Sequence, residues 1–140
     1  MFIVYDYYSR AEELDLYEEV GSVLNLDLED NFDYAGFSRI EHIIARDAKL
    51  AFAYADFIIN GRWERGEPII ATYPSSALDY AMCILYDRFI LGEPIIMKDS
   101  YSAYHYARHV LKSRWLEAEP YIKKNEFWWS KYKVKFRVVE

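Results

Sequence analysis

The chain has 140 residues, 53% of them hydrophobic and 19% aromatic, which is enough for one domain with a core and too few for two ordinary ones. That composition excludes a disordered chain, and no apolar run approaches the roughly 18 residues a bilayer span requires, so a soluble folded protein with no membrane partner is expected. A net charge of −6 argues against general nucleic-acid binding through a basic face.

The opening Met-Phe-Ile-Val-Tyr-Asp lacks the charged, apolar and small-residue regions of a signal peptide, and Cys83 is the one cysteine, so a reducing cytoplasm is the expected setting. Phe2 to Tyr8 reads as a strand. Ala11 to Leu24 reads as an amphipathic helix carrying Leu14, Tyr17 and Leu24, followed by an Asn/Asp-rich loop and a helix from about Ser38 to Ala45. Residues 1–42 together are read as an acidic N-terminal cap. Residues 1–34 hold ten acidic side chains against Arg10, a net of −9, whereas the remaining 106 residues hold 16 basic and 13 acidic ones. One reading is a solvated face that keeps a Tyr-rich chain soluble. The other is an anionic surface that competes with a phosphate backbone for a basic partner, through Glu12, Glu13, Asp15, Glu18, Glu19, Asp27, Glu29, Asp30 and Asp33.

From residue 43 a 26-residue period governs the chain. Residues 43–68, 69–94 and 95–120 align without a gap, and a partial fourth copy occupies 121–140. Columns identical in all three full copies are Ala51/Ala77/Ala103, Tyr54/Tyr80/Tyr106, Ala55/Ala81/Ala107, Arg62/Arg88/Arg114, Glu67/Glu93/Glu119 and Pro68/Pro94/Pro120. Ala51, Tyr54, Ala55, Ile58 and Ile59 follow the i, i+3, i+4, i+7, i+8 stripe of an amphipathic helix, and the stripe recurs in the next two copies. Asp47, Asp99 and Asn125 stand at N-cap positions, and Tyr73-Pro74 places a proline at the first helical residue instead. Asn60-Gly61 and Lys112-Ser113 mark helix ends. Glu-Pro then precedes one short turn through Ile69-Ile70. The predicted fold is therefore mainly α: a short right-handed helical-repeat solenoid, one long helix and one short turn per copy, with small N- and C-terminal β/α caps.

In the fourth copy Trp129 and Lys133 replace the alanines, which predicts a cap. From Lys131 the order Lys-Tyr-Lys-Val-Lys-Phe-Arg-Val alternates strictly, which predicts a strand over 131–139 with Tyr132, Val134, Phe136 and Val138 on one face.

Residues 106–122, Tyr-Ala-Arg-His-Val-Leu-Lys-Ser-Arg-Trp-Leu-Glu-Ala-Glu-Pro-Tyr-Ile, resemble a repeat of tailed-phage and mobile-element proteins. That repeat runs as Asp, a helix with Tyr-Ala, then Gly-Arg-Trp-Pro-Glu-Ala-Glu-Pro. The layout is similar, more loosely, to leucine-rich repeat variant solenoids. The resemblance covers about residues 43–130 and departs in copy two, which has Phe89 for Trp and no match to Glu117. It implies a viral or mobile-element origin and a binding role, and no reaction.

His105 and His109, four apart on one helix, are spaced as a two-His metal site or as an exposed helix face. His42 stands alone before the first repeat with no adjacent acid–base pair to mark it as catalytic, and Cys83 reads as a small hydrophobe near the core. There is no Gly-rich phosphate loop, nucleophile elbow or zinc-type cysteine cluster, so neither enzymatic activity nor a cofactor is expected. Each Arg of the 62/88/114 column precedes Trp63, Phe89 or Trp115. This arrangement is either a scaffold in which Arg pairs with the Glu column, or a ladder for nucleic acid assisted by Lys131–Arg137. Phe127, Trp128 and Trp129 form an aromatic cluster, an end plug or an interface anchor with Trp128 as the candidate contact; a homodimer is conceivable. The expected function is a non-enzymatic protein-binding module. More specifically, it is a phage- or mobile-element-encoded inhibitor of a host nucleic-acid-handling defence complex, of anti-CRISPR or anti-restriction type. It would act by acidic mimicry on a host protein or nucleoprotein with a basic groove. The alternative is a nucleic-acid-binding repeat protein using the Arg/Trp ladder.

Overall fold

The computed structural model describes residues 47–140. The strand expected at Phe2–Tyr8, the helices expected over 11–24 and 38–45, and the start of copy one lie outside the described residues. Asp47, in extended backbone, accepts from the N–H groups of Lys49 and Leu50 at 2.7 and 3.2 Å and so starts α1 (48–59). This helix is α-helical over Ala48–Ala53 and π-helical over Tyr54–Ile59. A 3₁₀ turn, Glu64–Gly66, leads into α2, Glu67–Ile70, with Pro68 in its first turn. Copy two repeats the pattern: Pro74 opens α3 (74–85), α-helical over Pro74–Asp79 and π-helical over Tyr80–Leu85, and the turn Ile90–Gly92 leads into α4, Glu93–Ile96. In copy three, Asp99 accepts from the Ser102 N–H and hydroxyl. It caps α5 (100–111), which is α-helical over Ser100–Tyr106 and π-helical over Ala107–Leu111, and α6, Glu119–Ile122, follows. Asn125 accepts from the Trp128 N–H at 3.2 Å and starts α7, Glu126–Phe136.

The chain is thus mainly helical, and there is no strand among the described residues. Of the strand expected over 131–139, residues 131–136 are instead the second half of α7, and Arg137 ends that helix in the left-handed region. The alternation from Lys131 is real, but a helix reads it differently: Tyr132 is fully buried while Val134 is 81% exposed. The Asn125 cap, Glu126 in the first turn and Lys133 and Lys135 in the last all favour helix in this segment.

Each long helix packs against the next, α1 on α3, α3 on α5 and α5 on α7, and against the short helix of its own copy. The alanine columns Ala51/Ala77/Ala103 and Ala55/Ala81/Ala107 are completely buried, and their small side chains let these surfaces approach closely. Ile70, Ile96 and Ile122 from the short helices fill the space beneath. At Gly66 a Cβ would fall within the ring of Trp63, and at Gly92 it would meet Phe89 and Ala77, so those turns lie directly against their aromatic neighbours. Copy three has Ala118 at this position, buried. There the Trp115 ring meets Tyr106 at 39°, whereas Trp63 meets Tyr54 at 65°.

A π segment amounts to one residue inserted into an α-helix. It closes α1, α3 and α5 and is absent from α7. The left-handed residue that ends each helix shows the insertion: it is Asn60, Tyr86 and Lys112, at the 26-residue period, but Arg137 in the fourth copy, one position early. In the first three, the carbonyls of Ala55, Ala81 and Ala107 each accept from that residue and from the next N–H, Gly61, Asp87 and Ser113, closing the C-terminus in the manner of a Schellman cap.

Between copies the same polar cluster recurs. Tyr80 Oη donates to Glu67 Oε1 at 2.9 Å and accepts from the Trp63 N–H at 3.0 Å. Tyr106 makes the same two bonds to Glu93 and the Phe89 N–H, and Tyr132 to Glu119 and the Trp115 N–H. Within each turn Arg62, Arg88 and Arg114 hold Glu67, Glu93 and Glu119 through Nε and Nη2, at 2.7 to 3.4 Å. Hydrogen bonding to the glutamate raises the pKa of each guanidinium above its ordinary value. Burial raises those of the Tyr80 and Tyr106 phenols and pushes Tyr132 up to about 12, so each hydroxyl remains a donor.

Two stability changes are expected. Tyr106→Phe leaves a buried carboxylate oxygen and the Phe89 N–H without their shared partner and should cost roughly 1–3 kcal/mol in urea denaturation. Tyr86, at φ 50° and 83% exposed, adopts a backbone conformation that disfavours side chains. Tyr86→Gly should therefore stabilise the fold by about 1 kcal/mol, read as a rise in Tm.

Candidate protein interface

The repeated columns are occupied in holding the copies together. Trp63, Phe89 and Trp115 are only 8%, 3% and 5% exposed, and each packs its ring on the tyrosine of its own copy at 4.8 to 4.9 Å. The rings that a nucleic-acid ladder would offer to bases are inside, and the guanidinium beside each is held by a carboxylate in the same turn.

The C-terminal aromatic cluster divides into two parts. Trp129, aligned with the buried alanines, is itself buried. It stacks on Tyr132 at 5.4 Å, donates Nε1–H to Glu140 at 2.9 Å and lies under Lys123 and Lys133. It covers the last helix as a plug. Trp128, the candidate contact, is half-buried among Tyr101, Tyr104, His105 and Phe127, at ring distances of 4.8 to 5.5 Å. Phe127 is 59% exposed.

Phe127 stands on the rim of an open groove of about 490 Å³ between α5 and α7. Its polar lining is Arg108, Lys131, Lys135 and Ser130, and its apolar lining is Tyr104, Phe127 and Val134. Among the described residues that line it there is no carboxylate. Lys131 Nζ lies 5.1 Å above the Phe127 ring. The positive field reaches His109, whose pKa is lowered by burial and then by Arg108 and Lys135. His105 is pushed down to about 4, first by burial, then by His109 and Arg108. A site of this composition attracts an anion that also carries apolar surface.

The structure brings together few of the other residues singled out from the sequence. Glu12, Glu13, Asp15, Glu18, Glu19, Asp27, Glu29, Asp30, Asp33 and His42 lie outside the described residues. His105 and His109 stack with ring centroids 5.6 Å apart. Among the described residues no group of three or more His, Cys, Asp or Glu side chains is placed to hold a metal. Cys83 is half-buried and packs at the core edge. Lys131, Val134 and Lys135 were not legible as a groove, because alternation assigned them to a strand. Helical spacing from Phe127, at i+4, i+7 and i+8, would have put all three on one face.

One buried ionisable group lies away from the groove. Asp79, on α3, is 2% exposed, and neither its Oδ1 nor the buried Ser76 hydroxyl has a hydrogen-bond partner among the described residues. Burial, with the nearby charge of Asp56 adding to it, pushes the Asp79 carboxyl up to about 7.

No protein-family model, curated protein or solved structure matches this chain. No helix among the described residues is long and apolar enough to cross a membrane.

Because the folded state keeps a proton on Asp79 that an ordinary carboxyl (pKa about 4) gives up in the unfolded chain, stability should fall as pH rises from about 4 to about 7, then level off. Asp79→Asn removes that dependence. Urea denaturation should show the variant more stable than the parent by roughly 1–3 kcal/mol in mildly alkaline buffer and little changed at mildly acid pH.

Proposed function

We propose that the chain is a non-enzymatic protein-binding module: a helical-repeat solenoid that carries an acidic N-terminal segment to a partner with a basic groove. In this reading it is a phage- or mobile-element-encoded inhibitor of a host nucleic-acid-handling complex, of anti-CRISPR or anti-restriction type. The carboxylates of residues 12–33 would stand in for a phosphate backbone. The observation that carries the binding role is the use of the repeated polar columns. Every repeated Tyr–Glu–Arg set from Glu67 to Tyr132 is tied into a junction between copies, which leaves the exposed helix positions free of that structural role, as in repeat proteins that present a binding face. The mimicry is supported by the net charge of −9 confined to residues 1–34.

The test is capture of a partner from nuclease-treated host lysate by the tagged chain, followed by titration of the purified partner. Replacing Glu12, Glu13, Glu18 and Glu19 with Gln and Asp15 with Asn should weaken binding at least about tenfold, mainly through the association rate and its salt dependence. Unchanged affinity would remove the mimicry, and recovery of nucleic acid alone would remove the protein-binding role.

A further inference from the structure

We propose that the groove between α5 and α7 receives the acidic segment at residues 11–19 of a second copy of this chain, so that molecules associate head to tail. Arg108, Lys131 and Lys135 line the groove with no carboxylate among the described lining residues, and none of the three forms an ion pair among the described residues. Concentrating three cations on one open surface without counter-charges costs stability through mutual repulsion, which an anionic occupant relieves. Phe127 and Val134, 59% and 81% exposed, add apolar surface that water covers poorly.

Residues 11–19, Ala-Glu-Glu-Leu-Asp-Leu-Tyr-Glu-Glu, carry the complementary chemistry: five carboxylates for the cations, and Leu14, Leu16 and Tyr17 for the apolar rim. The charge along the chain is segregated in the same sense. Residues 1–34 are strongly acidic, whereas residues 100–140 hold nine basic and four acidic side chains. The packing order α1, α3, α5, α7 sets the groove at the far end of the stack from Asp47, where the N-terminal segment joins it. The acidic segment of a second molecule is therefore joined, through Asp47, to the opposite end of that molecule's stack. Such a contact is heterologous: it uses two different surfaces, leaves one of each unfilled at the ends, and grows with concentration unless it closes into a ring. Single-stranded nucleic acid would also be drawn to three cations and a ring. Residues 11–19 match the apolar rim as well as the charge, and they are present at the concentration of the chain itself. The inference stands apart from the host-partner reading, because it is measured on the purified chain alone.

The experiment is sedimentation velocity of the full chain from micromolar to millimolar concentration, at low and high salt. The weight-average mass should rise with concentration at low salt, at least doubling, and return to that of the monomer at high salt. Two variants separate the surfaces. Lys131→Glu with Lys135→Glu spoils the groove and keeps the acidic segment. Glu12→Lys, Glu13→Lys, Glu18→Lys and Glu19→Lys together spoil the segment and keep the groove. Lys131 and Lys135 are exposed, and circular dichroism checks that both variants fold. Each variant alone should stay monomeric, while their equimolar mixture should associate again, because the acidic segment of the first meets the intact groove of the second. A parent chain that stays monomeric throughout, or a groove variant that still self-associates, overturns the proposal. So does a groove that takes up a labelled single-stranded oligonucleotide, loses it in the Lys131→Glu, Lys135→Glu variant and shows no self-association, which would assign it to nucleic acid.

Discussion

A single tyrosine hydroxyl at each junction between copies sets the geometry of this protein. Tyr80, Tyr106 and Tyr132 each donate to a glutamate of the preceding copy and accept from a backbone N–H in the same turn. The N–H belongs to a buried aromatic residue, and left unpaired it would cost about as much as a lost hydrogen bond. The glutamate is nearly buried too, and its charge is tolerable there because an arginine in the same turn closes on it with two bonds. Hydroxyl, carboxylate, guanidinium and backbone amide are therefore mutually dependent, and the recurrence of Tyr, Arg and Glu at one period follows from that dependence.

Around those groups, close packing combines the buried aromatic rings with small and aliphatic residues. The alanines bring successive helices together, Ile70, Ile96 and Ile122 fill beneath, and the glycines at Gly66 and Gly92 let the turn lie on its own aromatic ring. The chain end handles the exposed face differently. Trp129 occupies an alanine position and covers the last helix, tied down by Glu140, while Tyr132 keeps the junction to copy three intact. The fourth copy thus keeps the tyrosine junction while burying Trp129 where the other copies have alanine.

The surface left over is unequal in charge and in character. The groove between α5 and α7 gathers cations and exposed apolar side chains beside the buried Tyr104. Asp79 is the contrary case: a buried carboxyl facing the neighbourhood of another acid, kept neutral by its surroundings at a cost in stability above neutral pH.

The 26-residue period, the helical stripe, the N-caps at Asp47, Asp99 and Asn125 and the pairing of the Arg column with the Glu column were legible from residue order, because each depends on spacing within one copy. The C-terminal helix was legible as well, had the register been followed: Tyr132 stands 26 residues after Tyr106, and that column outweighs a local alternation that suits either a strand or a helix. Three features were decided only in three dimensions. The tyrosine hydroxyl reaches back 13 and 17 residues into another copy, which no local pattern records. The π segments close the three helices that meet at alanine and are absent from α7, where Trp129 and Lys133 stand at those positions. The groove exists because α5 and α7 lie side by side, bringing Arg108 to Lys131 and Lys135, residues whose common face depends on their being helical and on which helix is their neighbour.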